Sequence, residues 1–213
     1  MRQGRLLAWF GLVAALAALQ YGGRATSKTD RNELYHYTIA IGGFIQYAVL
    51  LLIVLAIAGW RTDLLALRRP TSWRTALGFA LLIFVGIYVV IALLDPFLHG
   101  GREQGLTPTG WEPKHAGAYL VNAVVIAGVA PVVEELTYRG LGVSLLERYG
   151  RWVAIVVVGC CFALDHGLVQ AFPELALFGA ALAWLRLRVQ SVYPGMIVHA
   201  TFNGLSLVLA VTT

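Results

Sequence analysis

The sequence predicts an all-α, polytopic membrane protein, a helix bundle with about seven transmembrane helices (six to eight). Hydrophobic residues make up 59% of the 213 residues, charged residues make up 13%, and the mean hydropathy is +0.74. Soluble domains are nearer ~45–50% apolar and ~25% charged. Apolar runs of spanning length recur along the chain, and no polar stretch is long enough for a second domain. We therefore expect one integral-membrane domain over residues 1–213.

The net charge of +5 comes from basic residues in the short connections between apolar runs. No separate basic and aromatic surface module is visible, so we expect the lipid bilayer, and no nucleic acid, as a partner. Basic residues in short connections set the orientation of a multi-pass protein. Eleven of them fall on the side of the N-terminus and five on the other side. This bias predicts a protein of the cell (inner) membrane with a cytoplasmic N-terminus.

Hydropathy places seven predicted spans along the chain, given that a span needs about 20 apolar residues. In order they are Leu6–Tyr21, Ile39–Trp60, Thr75–Leu94, Ala118–Leu136 or beyond, Trp152–Leu168, Phe172–Leu187 and Val192–Val211. The first run follows Arg2 and Arg5 and resembles a signal peptide with a cleavage-like site near Ala17. We interpret it as a retained first helix, because many multi-pass proteins begin this way.

The fourth span contains two adjacent carboxylates, Glu134 and Glu135. A charge near the bilayer centre costs roughly 2.5–3.5 kcal/mol even on insertion scales, so such groups usually face a cavity and have a function. Glu135 and Arg139 are four residues apart and can pair on one helix face. Glu134 points about 100° away, which suits a general base that faces a cavity. A structural ion-pair cluster that locks helices together is the alternative from this span alone.

The fifth and seventh spans carry the other ionisable groups. Phe162 and His166 are four residues apart, so the phenyl ring can pack beside the imidazole, while Asp165 faces another direction and can cap the helix or meet water. His199 and Asn203 have the same spacing in the seventh span. Singly, these groups can be interfacial, core or interhelical contacts. Together, three helices supply a carboxylate, two imidazoles and an amide, which can activate water and stabilise an oxyanion.

These groups can meet only if they lie at similar depths in the bilayer. If the fourth helix ended soon after its two carboxylates, Glu134 and His166 would lie near opposite surfaces. The site therefore requires the fourth helix to continue to about Glu147, which places Glu134 near mid-depth at ~1.5 Å per residue. It also requires the fifth helix to continue towards Phe172. We expect Pro131 to kink the fourth helix just before the two carboxylates.

Three short patterns are similar to the motifs of a known family. Glu134-Glu135-Leu-Thr-Tyr-Arg139 resembles an E-E-x-x-x-R motif, Phe162-Ala-Leu-Asp-His166 an F-x-x-x-H motif and His199-Ala-Thr-Phe-Asn203 an H-x-x-x-N motif. These motifs, in this order and spacing, are those of the CPBP family, which comprises CAAX proteases and bacteriocin-processing enzymes and is also called Abi. The resemblance covers about residues 117–209, expected to be the catalytic core, and leaves residues 1–116 as N-terminal spans.

The resemblance implies an intramembrane endopeptidase, related to type II CAAX prenyl endopeptidases, that acts on a membrane-anchored protein or peptide. By that likeness, Glu134 activates the hydrolytic water with help from His166. His199 and Asn203 would hold the water or stabilise the oxyanion. The supporting residues would be Glu135, Arg139 and Phe162.

The cofactor and the function class each have an open alternative. Glu134, His166 and His199 could bind Zn²⁺, but the first motif lacks the paired histidines of an H-E-x-x-H zinc site, so no cofactor is favoured. A proton-coupled transporter is a second function, because chains of Glu, Asp and His mark ion pathways. The second and third spans offer only Gln46 and few other polar groups, which counts against it. A non-catalytic immunity scaffold is the third function.

Overall fold

The computed structural model describes residues 2–26, 32–100, 103 and 108–212. Over these residues the chain is helical and contains no strand, which confirms the predicted all-α bundle. The long helices are α1 (Arg2–Thr26), α2 (Tyr37–Ala58), α3 (Trp73–Leu98), α4 (Pro113–Tyr149), α5 (Arg151–Asp165), α6 (Phe172–Val189) and α7 (Tyr193–Thr212). A 3₁₀ turn, Glu33–Tyr35, precedes α2.

Five of these helices, α1 to α4 and α7, are long and apolar enough to cross a membrane. Helix α5 has 15 residues, which is ~22 Å of helix against a hydrocarbon core of ~30 Å. Helix α6 has 18 residues and carries Glu174, Arg186 and Arg188. The predicted fifth and sixth spans are therefore helices that do not meet the length and hydropathy of a full span.

The bundle is apolar outside, and its mostly apolar interior encloses a small set of polar and charged groups. Large side chains that point outward from α2 and α3 include Ile41, Ile45, Leu52, Leu81, Leu82 and Leu93. The buried polar and charged residues are Asn122, Glu134, Glu135, Thr137, Arg139, Arg186, Ser191 and His199. This distribution suits a protein whose surroundings are lipid and whose polar groups pair with one another. The chain is a multi-pass membrane protein.

Helices α5 and α6 form a tightly packed hairpin and contact each other more extensively than any other two elements. A Cβ atom at Gly159 would lie 2.7 Å from the carbonyl oxygen of Ala176, and one at Gly179 would lie 2.9 Å from the Cα of Gly159. Glycine at both positions lets the two backbones approach closely, as is common between membrane helices.

Helix α4 is irregular on both sides of the two carboxylates. Two π-helical segments, Val125–Val129 and Leu136–Gly142, enclose the α-helical segment Ala130–Glu135. The expected irregularity at Pro131 takes the form of the first π-helical turn, and such turns often occur at functional sites. The helical run continues to Tyr149, which confirms the predicted extension of this helix.

Helix α5 ends at Asp165, so the prediction that it continues towards Phe172 is wrong. Gly167 adopts a φ of +64°, and its N–H donates to the carbonyl of Leu164 at 3.1 Å. A left-handed glycine commonly ends a helix in this way. His166 therefore lies at the turn that follows α5 instead of inside a longer helix.

Helix α1 belongs to the core through Trp9, which is fully buried. The indole N–H donates to the carbonyl of Thr137 at 2.9 Å, inside the second π-helical segment of α4. A Cβ atom at Gly142 would lie 2.5 Å from the Trp9 ring. The first helix thus packs against the second π-helical segment of α4.

Arg186 corrects one step of the charge analysis, because it is buried inside α6 and does not lie in a connection. It donates to Ser144 Oγ at 2.6 Å and to Glu147 Oε2 at 3.2 Å. The excess of basic residues on the predicted inner side persists without it. Three other members of the charge count lie outside the described residues, namely Lys28, Arg31 and Arg102.

Candidate active site

Glu135 and Arg139 form a fully buried ion pair, as their spacing predicts. Arg139 Nη1 lies 2.8 Å from Glu135 Oε1, and both side chains are 0% exposed. Arg139 also donates from Nη2 to the carbonyl of Gly179 at 3.4 Å, and its guanidinium lies 4.2 Å from the centre of the Phe162 ring. The pair therefore joins α4 to the α5–α6 hairpin, and each charge has a partner that offsets the cost of its burial.

His199 is held by the same carboxylate. Its Nδ1 lies 3.2 Å from Glu135 Oε1, and the ring packs edge-on against Phe162 and Phe178. An ionised carboxylate only accepts hydrogen bonds, so Nδ1 carries the proton. The Nε2 atom of a neutral His199 then has a free lone pair, and it becomes a donor only when the ring is doubly protonated.

Glu134 lies on a different face of α4 and has different partners. Its Oε1 accepts a hydrogen bond of 2.6 Å from the Tyr47 hydroxyl, and its Oε2 lies 3.7 Å from His199 Nε2. The second distance is too long for a direct hydrogen bond. A water molecule within ~2.8 Å of both atoms can stand beside this gap. One oxygen of Glu134 is thus held by the protein, and the other faces an imidazole.

His166 lies in the turn that follows α5. Its Nδ1 lies 2.8 Å from the carbonyl oxygen of Phe162, and the two rings are 4.6 Å apart, as their spacing predicts. Because a carbonyl only accepts, Nδ1 carries the proton and Nε2 has the free lone pair. Glu134, His199 and Arg139 all lie close enough to act on His166 electrostatically. The residue as a whole is partly exposed.

Asn203 contacts the distorted part of α4. Its side-chain amide donates to the carbonyl oxygen of Ile126 at 2.9 Å. In the first π-helical segment the N–H of Ala130 bonds to the carbonyl of Val125, five residues earlier. The next residue, Pro131, has no N–H to offer Ile126. The asparagine therefore supplies the hydrogen bond that the proline cannot make, which uses one of its two amide protons.

The polar cluster also contains groups that the sequence patterns did not select. Tyr47 is one, whereas its neighbour Gln46 is exposed on the outer face of α2. Asp165, expected to face another direction, lies beside the Tyr138 hydroxyl and within electrostatic range of Glu134. Neither Asp165 Oδ1 nor the Tyr138 hydroxyl has an aligned hydrogen bond within the described part of the chain. The sequence offered one indication that Asp165 lies near the site, namely its position directly before the motif residue His166.

The zinc alternative names Glu134, His166 and His199 as ligands. In the part of the chain that the structure describes, no group of three or more His, Cys, Asp or Glu side chains is arranged to hold a metal ion. Both Nδ1 atoms are engaged by protein acceptors, so only the two Nε2 atoms and Glu134 Oε2 remain as donors. These residues do not form a preformed metal site in this conformation.

Comparison with known proteins identifies the segment that carries this site. Residues 116–205 match the family model described as type II CAAX prenyl endopeptidase Rce1-like. Comparison with curated proteins and with solved structures found no match. The matched segment runs from the start of α4 into α7 and contains all three motifs. Over these residues, a little under half of the chain, the sequence is similar to the family of type II CAAX prenyl endopeptidases.

Proposed function

We propose that the protein hydrolyses a peptide bond of a membrane-anchored protein or peptide, with Glu134 and His166 activating the water. The main support is the convergence of groups from separate helices. Glu134 Oε2 lies 3.7 Å from His199 Nε2, and both imidazoles have Nδ1 engaged by a protein acceptor, so Nε2 is the ring atom left for chemistry. A general base needs a free lone pair, and Glu134 Oε2 and His166 Nε2 each have one.

The water is activated at the oxygen of Glu134 that Tyr47 leaves free. The water molecule lies between Glu134 Oε2 and the Nε2 of His166. The carboxylate takes one proton of the water as the water oxygen attacks the scissile carbonyl. The new C–O bond converts this carbonyl into a tetrahedral oxyanion. His166, with its Nε2 lone pair, accepts the second hydrogen of the water and so fixes its orientation.

The oxyanion is stabilised by His199 and Asn203. His199 donates from Nε2 in its doubly protonated form, which takes its extra proton from solvent and keeps it through the cycle, and the Glu135 carboxylate beside Nδ1 compensates for that charge. Asn203 has a second amide proton, because only one is used by Ile126. When the intermediate collapses, the C–N bond breaks and the proton on Glu134 passes to the leaving amine. The carboxylate is thereby restored, and no metal is required.

The test compares Glu134→Gln with Glu33→Gln in proteoliposomes. Glutamine keeps the size of the side chain and removes its basicity, while Glu33 is outside the site. A farnesylated peptide with a CAAX C-terminus is the first probe, because the matching family model is described as a prenyl endopeptidase. We expect cleavage by the wild type and by the Glu33 variant, and none by Glu134→Gln. Cleavage by Glu134→Gln at the wild-type rate would reject the proposed base.

A comparison of membrane proteomes from cells with wild-type or Glu134→Gln protein covers substrates other than prenylated peptides. A C-terminally or N-terminally trimmed protein present only with the wild type identifies the substrate. A cellular phenotype that the variant retains in full would favour the non-catalytic scaffold. Solute or proton flux in the same vesicles, abolished by the variant without any cleavage, would favour the transporter.

We also propose that the protein lies in the cell (inner) membrane with its N-terminus in the cytoplasm. The support is the distribution of basic residues between connections. Arg61 follows α2, whereas Glu112 bonds through its backbone N–H to Tyr35, which precedes α2. Cysteine at each position, in a chain without its two native cysteines, should react differently with a membrane-impermeant maleimide on intact cells. Labelling of the Arg61 position from outside would overturn the orientation.

A further inference from the structure

Tyr47 reaches the site from outside the segment that matches the family model. It lies on α2, whereas the match begins at residue 116. Its hydroxyl donates to Glu134 Oε1 at 2.6 Å, which is the length expected when a hydroxyl donates to a carboxylate. The side chain is partly buried and packs against the core of the bundle. The hydrogen bond thus joins an N-terminal span to the candidate base.

We propose that Tyr47 is a positioning residue that holds the Glu134 carboxylate in its catalytic orientation. The inference rests on the proposed function, since it assigns Tyr47 a role through the proposed base. The hydroxyl engages Oε1 only, so Oε2 remains available at 3.7 Å from His199 Nε2. A carboxylate without this partner can rotate about its terminal torsion, which is broad and roughly two-fold.

The burial of Glu134 makes such a restraint effective. The residue is 7% exposed, so few water molecules are available to replace a lost donor. The other contacts of the cluster do not substitute for Tyr47, because Arg139 engages Glu135 and the nearest imidazole is 3.7 Å away. It follows that residues 116–205 are not a self-contained catalytic unit, and that α2 contributes to the rate of the chemical step.

The test is the substitution Tyr47→Phe, with Tyr37→Phe as the matched control. Both remove one hydroxyl from α2 and keep the ring, and Tyr37 is 57% exposed. Hydrogen bonds to charged groups contribute roughly 1.5–3 kcal/mol, so we expect Tyr47→Phe to lower kcat about 10- to 100-fold. KM should stay unchanged, because the hydroxyl does not contact the substrate. The control should match the wild type in both constants.

Two further measurements separate positioning from packing. The unfolding temperature of each variant is measured in detergent, and kcat is expressed per folded molecule, so that a loss of folded protein does not count as a loss of rate. The double variant Tyr47→Phe/Glu134→Asp should be no slower than Glu134→Asp alone, which keeps a carboxylate but withdraws it from the Tyr47 hydroxyl, because Tyr47 acts through Glu134. A Tyr47→Phe variant with the kcat of Tyr37→Phe would overturn the inference and leave the proposed function intact. Full activity of Glu134→Gln would overturn both.

Discussion

Gly195 of α7 packs closely against the carboxylate of the buried Glu135–Arg139 ion pair. A Cβ atom at this position would lie 2.6 Å from Glu135 Oε2, whereas ordinary contact begins near 3.4 Å. Alanine at Gly195 therefore requires a displacement of about 0.8 Å. The carboxylate cannot move freely, because Arg139 lies 2.8 Å and His199 lies 3.2 Å from its other oxygen.

The displacement has two measurable consequences. Overpacking of a filled core costs typically 1–3 kcal/mol, so we expect Gly195→Ala to lower the free energy of unfolding by about that amount. The larger effect is on rate, because the carboxylate that moves also orients His199. A misplacement of about 1 Å can cost on the order of 100-fold, and we expect a loss of about that size in kcat.

Gly204→Ala is the matched control, because it lies on the same helix and its Cβ would meet only Ala127 Cβ, at 3.7 Å. Cleavage of the farnesylated peptide is followed for both variants in proteoliposomes, and unfolding is followed in detergent. Equal kcat values and equal stabilities for the Gly195 and Gly204 variants would refute the argument, since they would show that the Glu135 carboxylate tolerates displacement. A Gly195→Ala variant that loses stability but keeps its kcat would refute the expected effect on rate.

Three other predictions address the supports of the site and its chemistry. Arg139→Met leaves the Glu135 carboxylate buried without a counter-charge and should cost about 3–5 kcal/mol of unfolding free energy; a loss below ~1 kcal/mol in chemical unfolding would contradict this. Gly140→Ala puts a Cβ 2.8 Å from the backbone carbonyl oxygen of Leu65, whereas Gly128→Ala meets nothing within 4 Å. The first should lower the unfolding temperature and the second should not, and equal temperatures would argue against close packing of the backbone at residue 140. Excess chelator should leave peptide cleavage unchanged, and a loss that zinc restores would show that the metal-free mechanism is wrong.

Helix formation and contacts within a helix were predictable from the sequence. Apolar runs give the position of each helix to within a few residues, except that α4 extends well beyond its apolar part. The Glu135–Arg139 pair and the packing of Phe162 on His166 follow from four-residue spacing, because such residues share a face whatever the rest of the fold does. The three motifs were recognised from their order and spacing along the chain, and in the structure they lie on α4, at the end of α5 and on α7.

Contacts between different helices could not be predicted from residue spacing. Gln46 and Tyr47 differ by about 100° around α2, and the sequence does not show which of them faces the bundle. The end of α5 depends on the φ angle of Gly167, and glycine permits either sign. The partner of Asn203 is partly predictable, because Pro131 necessarily leaves a carbonyl of α4 without its N–H partner.

The shortness of α5 has a consequence for the surrounding bilayer. Its outward face carries Trp152 and Val156, so lipid meets a helix about 8 Å shorter than the hydrocarbon core. A membrane accommodates such a mismatch by becoming thinner beside the short helix. His166, a partly exposed residue, follows the end of that helix. We therefore expect the aqueous phase to come nearest to the candidate site on this flank, where a water molecule has the least hydrocarbon to cross.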